Sequence, residues 1–173
     1  MARGTSLDRT GNLLGALSLA VADRAGPTTG AAALSALLHF LESPSIDLLR
    51  RVLGLTSSGT VRLVDRLERD GLVRRAGGTD GRVTSIELTA AGRRAAERVA
   101  RERGEVLESA LGVLDARQRE TLDELLGTVL VGLIPHPGPN GWMCRLCDTD
   151  ACGREQGRCP VANATGHLEK ARG

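Results

Sequence analysis

Hydrophobic residues recur along this chain mostly at three- and four-residue spacing, which predicts a largely helical protein. Helices are expected over residues 7–25 and 30–41, the second almost wholly apolar and therefore buried. Longer helices with apolar stripes are expected over 90–114, which Thr89 is placed to cap, and over 118–134. Residues 83–88 instead alternate between apolar and polar positions, as a half-buried strand does. The pattern predicts a mainly α fold that contains one small β-hairpin.

Residues 45–88 are the part around which the rest is organised, and their pattern predicts helix, turn, helix and hairpin. Gly54 can take the left-handed conformation that ends the first helix, and Thr56 is placed to cap the second near Ser58 or Gly59. Asp70-Gly71 ends that second helix. A strand over 72–75 then leads to a basic, glycine-rich tip over 76–82.

The second helix of this unit is expected to bury Val61, Val64 and Leu67 and to expose polar side chains on its other faces. Hydroxyl groups and guanidinium forks on such a helix suit base edges and phosphates in a DNA major groove. The candidate contacts are Ser57, Ser58, Thr60, Arg62 and Arg66. A cationic hairpin tip beside the helix suits a minor groove or phosphates. Its candidate residues are Arg74, Arg75 and Arg82, together with Asp80, the one acid of the tip.

The charge of the chain is local rather than global. The net charge is +2, whereas residues 45–94 hold ten arginines and six acidic residues, enough for a modest positive face. Aromatic residues make up 1% of the chain, which argues against binding of single strands by base stacking. No signal peptide or membrane-spanning apolar run is visible, so a cytoplasmic location and no membrane partner are expected.

The C-terminal part differs in composition from the rest. Three prolines and two glycines within residues 134–141 cannot continue a helix, so a linker is expected there. We place the boundary between a domain over 1–135 and a linker with a cysteine-rich tail over 136–173. All four cysteines lie in this tail, spaced C-x2-C-x4-C-x6-C. Beyond residue 162 the chain is small and polar, and a frayed end is expected.

Four cysteines clustered in a segment with few apolar residues are typical of a metal site that replaces a hydrophobic core. The predicted ligands are Cys144, Cys147, Cys152 and Cys159. A structural zinc knuckle is the first interpretation. An iron–sulfur cluster is the alternative, since closely spaced cysteines ending in Cys159-Pro160 are similar to a ferredoxin-type run. Free thiols that form disulfides remain the third.

The central motifs resemble the winged helix of the MarR family of bacterial transcription regulators. VDRLERDGLV over 64–73 is similar to the end of that family's recognition helix, DGR over 80–82 to its wing, and LTAAG over 88–92 to the start of its next helix. The resemblance covers about residues 10 to 135, with a core winged helix at about 28–92. It implies a homodimer, built by helices at about 7–25 and 90–134, that binds double-stranded DNA at a palindromic operator.

Carried over to this sequence, the resemblance implies that Arg82 enters the minor groove and that Asp80 orients it. The fold class is therefore a winged helix-turn-helix (α+β) with long dimerisation helices and a C-terminal metal knuckle. The expected function is a transcriptional regulator, most often a repressor in this family, modulated by a small-molecule effector, a metal or a redox event.

Two other functions stay open. One is a thiol or electron-transfer protein that uses the winged helix only for docking. It is disfavoured because the chain has no phosphate loop or nucleophile elbow and has only three scattered histidines. The other is a winged helix that contacts proteins alone. Salt-dependent binding of duplex DNA distinguishes the regulator from both.

Overall fold

The computed structural model of the chain describes residues 8–25, 28–77, 84–134 and 141–170. In this part the protein is mainly helical, with one antiparallel two-stranded sheet. The elements are α1 (Arg9–Ala25), α2 (Thr29–His39), α3 (Ile46–Leu53), α4 (Ser57–Arg69), β1 (Val73–Gly77), β2 (Thr84–Leu88), α5 (Ala90–Leu111), α6 (Ala116–Gly132) and α7 (Pro160–Lys170), with a short 3₁₀ turn at Gly141–Cys144.

The core of the winged helix forms around α2, as its apolar sequence predicts. Leu49 of α3, Val64 of α4 and Ile86 of β2 have no exposed surface and pack with α2 in one cluster, to which the start of α5 adds Ala95 and Ala96. Full burial of an aliphatic side chain of this size stabilises the fold by about 1.5–3 kcal/mol. This cluster therefore fixes α3, α4 and the hairpin relative to one another.

Local capping explains why the helices begin where they do. Thr56 Oγ1 accepts the Gly59 N–H at 3.1 Å, and Thr89 Oγ1 accepts the Gly92 N–H at 3.0 Å, as predicted for both helices. Asp115 and Gln118 form a reciprocal capping box at the start of α6. These short-range bonds satisfy amides that the first turn of a helix leaves without partners.

Several predicted boundaries were wrong. Helix α2 ends at His39 and α5 at Leu111, each two or three residues early, while β1 runs on to Gly77 because that residue pairs with Thr84. The expected frayed tail is instead helix α7. It forms because Pro160 suits the first helical position and because Cys159 Sγ accepts the Ala162 N–H at 3.4 Å.

Helices α1 and α6 bury none of their described side chains. Their exposed apolar residues include Leu13, Leu17 and Leu19 on α1, and Leu125 and Val129 on α6, with Leu133 directly after it. These are the stripes that the sequence led us to expect at an interface between subunits. No helix in the described part of the chain is long and apolar enough to cross a membrane.

Candidate nucleic-acid interface and four-cysteine cluster

The helix-turn-helix is built as the sequence predicts. Gly54 has φ = 65°, the left-handed conformation that glycine adopts without strain, and its N–H bonds to the carbonyls of Arg50 and Arg51. The Leu55 N–H donates to the Arg50 carbonyl at 3.1 Å. Three residues therefore turn the chain from α3 into α4 and hold the second helix in place.

The face that α4 buries differs by one position from the prediction. Thr60, Leu63, Val64 and Leu67 are buried, at the spacing expected for one face of a helix, whereas Val61 is 41% exposed. Thr60 has no exposed surface, and its hydroxyl donates to the Thr56 carbonyl at 3.0 Å. Its prediction as a DNA contact was wrong, because a hydroxyl enclosed in the core cannot reach a base edge.

The remaining predicted residues of α4 are exposed, namely Ser57, Ser58, Arg62 and Arg66. The two serines lie in the first turn, where the helix dipole and free amides favour an anion. Arg62 and Arg66 are four residues apart and so point to the same side of the helix. Neither forms an ion pair with another residue in the described part of the chain.

The two arginines of β1 are engaged within the protein instead. Arg75 Nη2 donates to Asp65 at 2.5 Å, and Arg75 also pairs with Glu68, so the side chain ties the wing to α4. The hydrogen bond to Asp65 is the largest cause of a raised pKa at Arg75. Arg74 Nη2 pairs with Glu87 of β2 at 2.6 Å and is more exposed. Asp80 and Arg82, the predicted wing residues, lie outside the described residues.

The segment that follows α2 also makes main-chain contacts with β2. The Ile86 N–H donates to the Pro44 carbonyl at 2.9 Å, and Ser45 and Ser85 form an isolated antiparallel bridge. The end of α2 is thus joined to β2 by main-chain contacts that the sequence did not indicate.

An open cavity of about 590 Å³ lies where the end of α2, β2 and the start of α5 meet, and His39, Glu87 and Arg93 contribute to its lining. The buried Nε2 of His39 has no hydrogen-bond partner among the described residues. The lining thus combines an imidazole, a carboxylate and a guanidinium group, all within the winged helix.

The four cysteines lie in one cluster against the body of the protein. Cys144 and Cys159 are buried, Cys147 and Cys152 are half-buried, and Ile134 and Val161 complete the apolar centre. The Cys147 N–H donates to the Cys144 carbonyl at 2.8 Å, which closes the C-x2-C turn. The sequence therefore gathers all four thiols at one place, although few apolar residues surround them.

Burial and the contacts within the cluster give Cys144, Cys147 and Cys152 different pKa values. The hydrogen bond from Cys147 lowers the pKa of Cys144 to about 7, and the same bond raises the pKa of Cys147. Burial, followed by the hydrogen bond to Cys159, raises the pKa of Cys152 to about 11. Cys144 thus loses its proton more readily than Cys147 or Cys152.

The chemistry of these side chains fits a thiolate-bound metal. Among the described residues, no three His, Cys, Asp or Glu side chains are grouped as metal ligands. Four thiols in one buried cluster are nevertheless the usual donor set of structural zinc and of iron–sulfur clusters. Arg154 interacts electrostatically with Cys144, and Arg103 of α5 with Cys147, so both cations can offset thiolate charge.

Sequence reasoning missed Arg103 and Phe40 as partners of the tail, because Arg103 lies in α5 and Phe40 directly after α2, both far from the tail in sequence. Among the arginines of the tail, Arg154 interacts electrostatically with Cys144 and Cys152.

Residues 28–83 match the model of the MarR family. Among solved structures, a MarR family protein from Bacillus stearothermophilus is 25% identical with a TM-score of 0.65, over 70% of this chain and 91% of that one. A probable transcriptional regulator from Pseudomonas aeruginosa is 28% identical, with a TM-score of 0.54, over 70% of this chain and 97% of that one. No curated protein sequence matches.

The DNA complex of MepR from Staphylococcus aureus has the same fold at 19% identity, with a TM-score of 0.58, over 74% of this chain and all of that one. The relatives are thus aligned nearly end to end, while about a quarter of this chain has no counterpart in them. Residues 28–83, which are less than half of the chain, are therefore similar in sequence to the MarR family.

Proposed function

We propose that this protein is a homodimeric, sequence-specific repressor that reads a palindromic operator with α4. The observation that carries this proposal is the exposed polar face of α4, held by a buried core within a MarR-family winged helix. In a helix-turn-helix, the N-terminal residues of the second helix contact base edges. Ser57 and Ser58 occupy that position here and are exposed.

Arg62 and Arg66 continue the same side of α4 toward its C-terminal end. A guanidinium group binds phosphate oxygens or guanine with two parallel hydrogen bonds, so these side chains suit either the backbone or a base edge. Arg75 plays a different part, because its pairs with Asp65 and Glu68 fix the angle between the wing and α4. Arg74 and Arg82 remain candidates for contacts made by the wing.

The dimer is supported by the uncovered apolar faces of α1 and α6. A single chain leaves Leu17, Leu125 and Leu133 more than half exposed, and a second copy related by twofold symmetry would cover such residues on both subunits. Two α4 helices would then face successive major grooves about one helical turn, or 10 base pairs, apart.

Selection of duplexes from a random pool, followed by footprinting, tests this function. We expect a palindromic consensus and two protected half-sites whose centres are about 10 base pairs apart. The Ser58→Ala and Arg62→Gln variants should lose discrimination at defined positions of the half-site. A pool that yields no consensus, or a protected stretch without symmetry, would contradict the proposal.

We further propose that the four cysteines bind one metal centre per chain, with structural zinc as the first choice. Support comes from the gathering of Cys144, Cys147, Cys152 and Cys159 in one cluster and from the two arginines that face it. When bound, the metal would draw the four thiols together as thiolates and contribute binding energy to the folding of the tail.

Metal and acid-labile sulfide analysis of protein purified without oxygen decides between the two centres. One zinc per chain and no visible absorption are expected for the knuckle. Iron together with acid-labile sulfide and a brown colour would identify the centre as an iron–sulfur cluster instead of zinc. The tail would then be a redox-sensing element. Four titratable thiols in metal-free protein would refute both.

A further inference from the structure

The cysteine tail docks on the winged helix through Phe40, the residue that follows the last turn of α2. Phe40 packs against the cluster of buried cysteines. The Arg154 guanidinium lies over the Phe40 ring, with its central carbon 5.8 Å from the ring centroid. This distance is within the range of a cation–π contact. One aromatic side chain of the winged helix therefore lies at the surface of the proposed metal centre.

A short segment of chain connects Phe40 to the wing. Four residues after Phe40, the Pro44 carbonyl accepts the Ile86 N–H of β2, and the Ser45–Ser85 bridge follows at once. Between them, Ser43 has φ = 47°, a left-handed conformation that residues other than glycine adopt at a cost. The Ser43 hydroxyl also donates to Glu87 at 3.3 Å. The connection is held in one conformation by contacts at both ends.

We propose that the tail braces the wing: the metal-bound cysteine cluster holds Phe40, and Phe40 holds residues 41–45 against β2. Loss of the metal would free the tail from Phe40 and weaken the pairing of this segment with β2. The wing would then be less well positioned beside α4, and affinity for DNA would fall. This inference rests on the proposed metal centre, and its effect on affinity rests also on the proposed function.

Hydrogen exchange measured by mass spectrometry on the full-length protein tests the brace without DNA. The protein is compared as purified with its metal and after the metal is removed by a chelator under reducing conditions. We expect amide exchange in residues 84–88 to accelerate by about fivefold or more on metal removal, the lower limit of typical coupling between sites. Exchange in α4 should stay unchanged.

The variants separate the brace from a general loss of stability. Phe40→Ala should bind metal at the parent's stoichiometry and yet show fast exchange in 84–88 in both states. If that variant does not fold, Arg154→Gln is used instead. It removes the cation over the ring but keeps the contact of Phe40 with the cysteines, so amide exchange in 84–88 should accelerate less in the metal-bound state. Glu155→Gln, at an exposed neighbouring position, should behave as the parent.

Three results would overturn the brace: unchanged exchange in 84–88 after verified loss of metal, equal acceleration in α4, or variants at Phe40 and Arg154 that respond as the parent does. A parent that takes up no metal would refute the centre and the brace together. Binding to the selected duplex, measured on the same samples, separates the two proposals. A protein that shows the exchange difference but binds no duplex would refute the repressor and leave the brace intact.

Discussion

Gly92 is the residue at which the structure predicts the largest effect of one added methyl group. It is buried in the first turn of α5, where the helix passes against the chain that leads into β1. A Cβ atom at this position would lie 1.8 Å from the Leu72 carbonyl oxygen and 3.2 Å from Leu88 Cδ2. The oxygen belongs to the main chain, so no change of rotamer relieves the clash.

The same junction carries hydrogen bonds that the displacement would break. The Thr89 N–H donates to the Leu72 carbonyl at 3.1 Å, and the Thr89 hydroxyl donates to the Gly71 carbonyl at 2.6 Å. Overpacking of a core typically costs 1–3 kcal/mol, and a clash with main chain belongs at the upper end, so Gly92→Ala should cost about 3 kcal/mol or more. For a chain of this size that lowers Tm by roughly 6–12 °C.

Gly104→Ala is the matched control in the same helix. A Cβ atom there meets no other atom of the chain within 4 Å. Alanine is favoured over glycine inside a helix by about 1 kcal/mol, so this variant should unfold at the parent's temperature or a few degrees above it. Thermal unfolding followed by circular dichroism measures both variants. Equal Tm values for Gly92→Ala and the parent would refute the close approach of α5 to Leu72.

Three further variants test other parts of the structure. Arg75→Met removes two partly exposed ion pairs, worth about 1 kcal/mol together, so Tm should fall by roughly 2–4 °C. If the variant instead reduces the salt dependence of DNA binding, Arg75 contacts a phosphate. Thr60→Val should leave DNA affinity within about twofold of the parent's, because the hydroxyl is buried, whereas Ser58→Ala should weaken binding. Equal losses of affinity for the two variants would show that Thr60 contacts DNA. Leu125→Asp on α6 should produce monomers in sedimentation velocity, and Val113→Asp in the exposed turn before α6 should not; dimers of both would place the interface elsewhere.

The features predicted correctly from sequence depend on short-range chemistry. Gly54 needs a left-handed conformation, and Thr56 and Thr89 need only an amide three residues ahead, so local sequence determines all three. The buried face of α4 was predicted one position too far along the helix, with Val61 inward in place of Thr60. Both residues have a helical spacing to Val64, so the pattern alone does not distinguish them. Only the packing of α2 against α4 decides which of them turns inward.

The contacts of the tail could not be predicted, since they join residues far apart in the chain. Phe40 and Arg154 are separated by four α-helices and the hairpin, and nothing near either residue indicates the other. Helix α7 likewise depends on packing against α6, where Pro160 approaches Gly127. The cysteine spacing predicted that four thiols would gather, but it did not indicate the surface on which they do so.

The salt dependence of duplex binding tests most directly whether α4 is the DNA-reading helix. Affinity for the selected duplex is measured by fluorescence anisotropy over a series of salt concentrations, for the parent, for Arg66→Gln, and for Arg98→Gln, the same charge change at an exposed position of α5. We expect a steep slope of log affinity against log salt for the parent. Arg66→Gln should reduce it by about 1, and Arg98→Gln should leave it unchanged. A flat slope for the parent, or equal slopes for both variants, would contradict DNA recognition by α4.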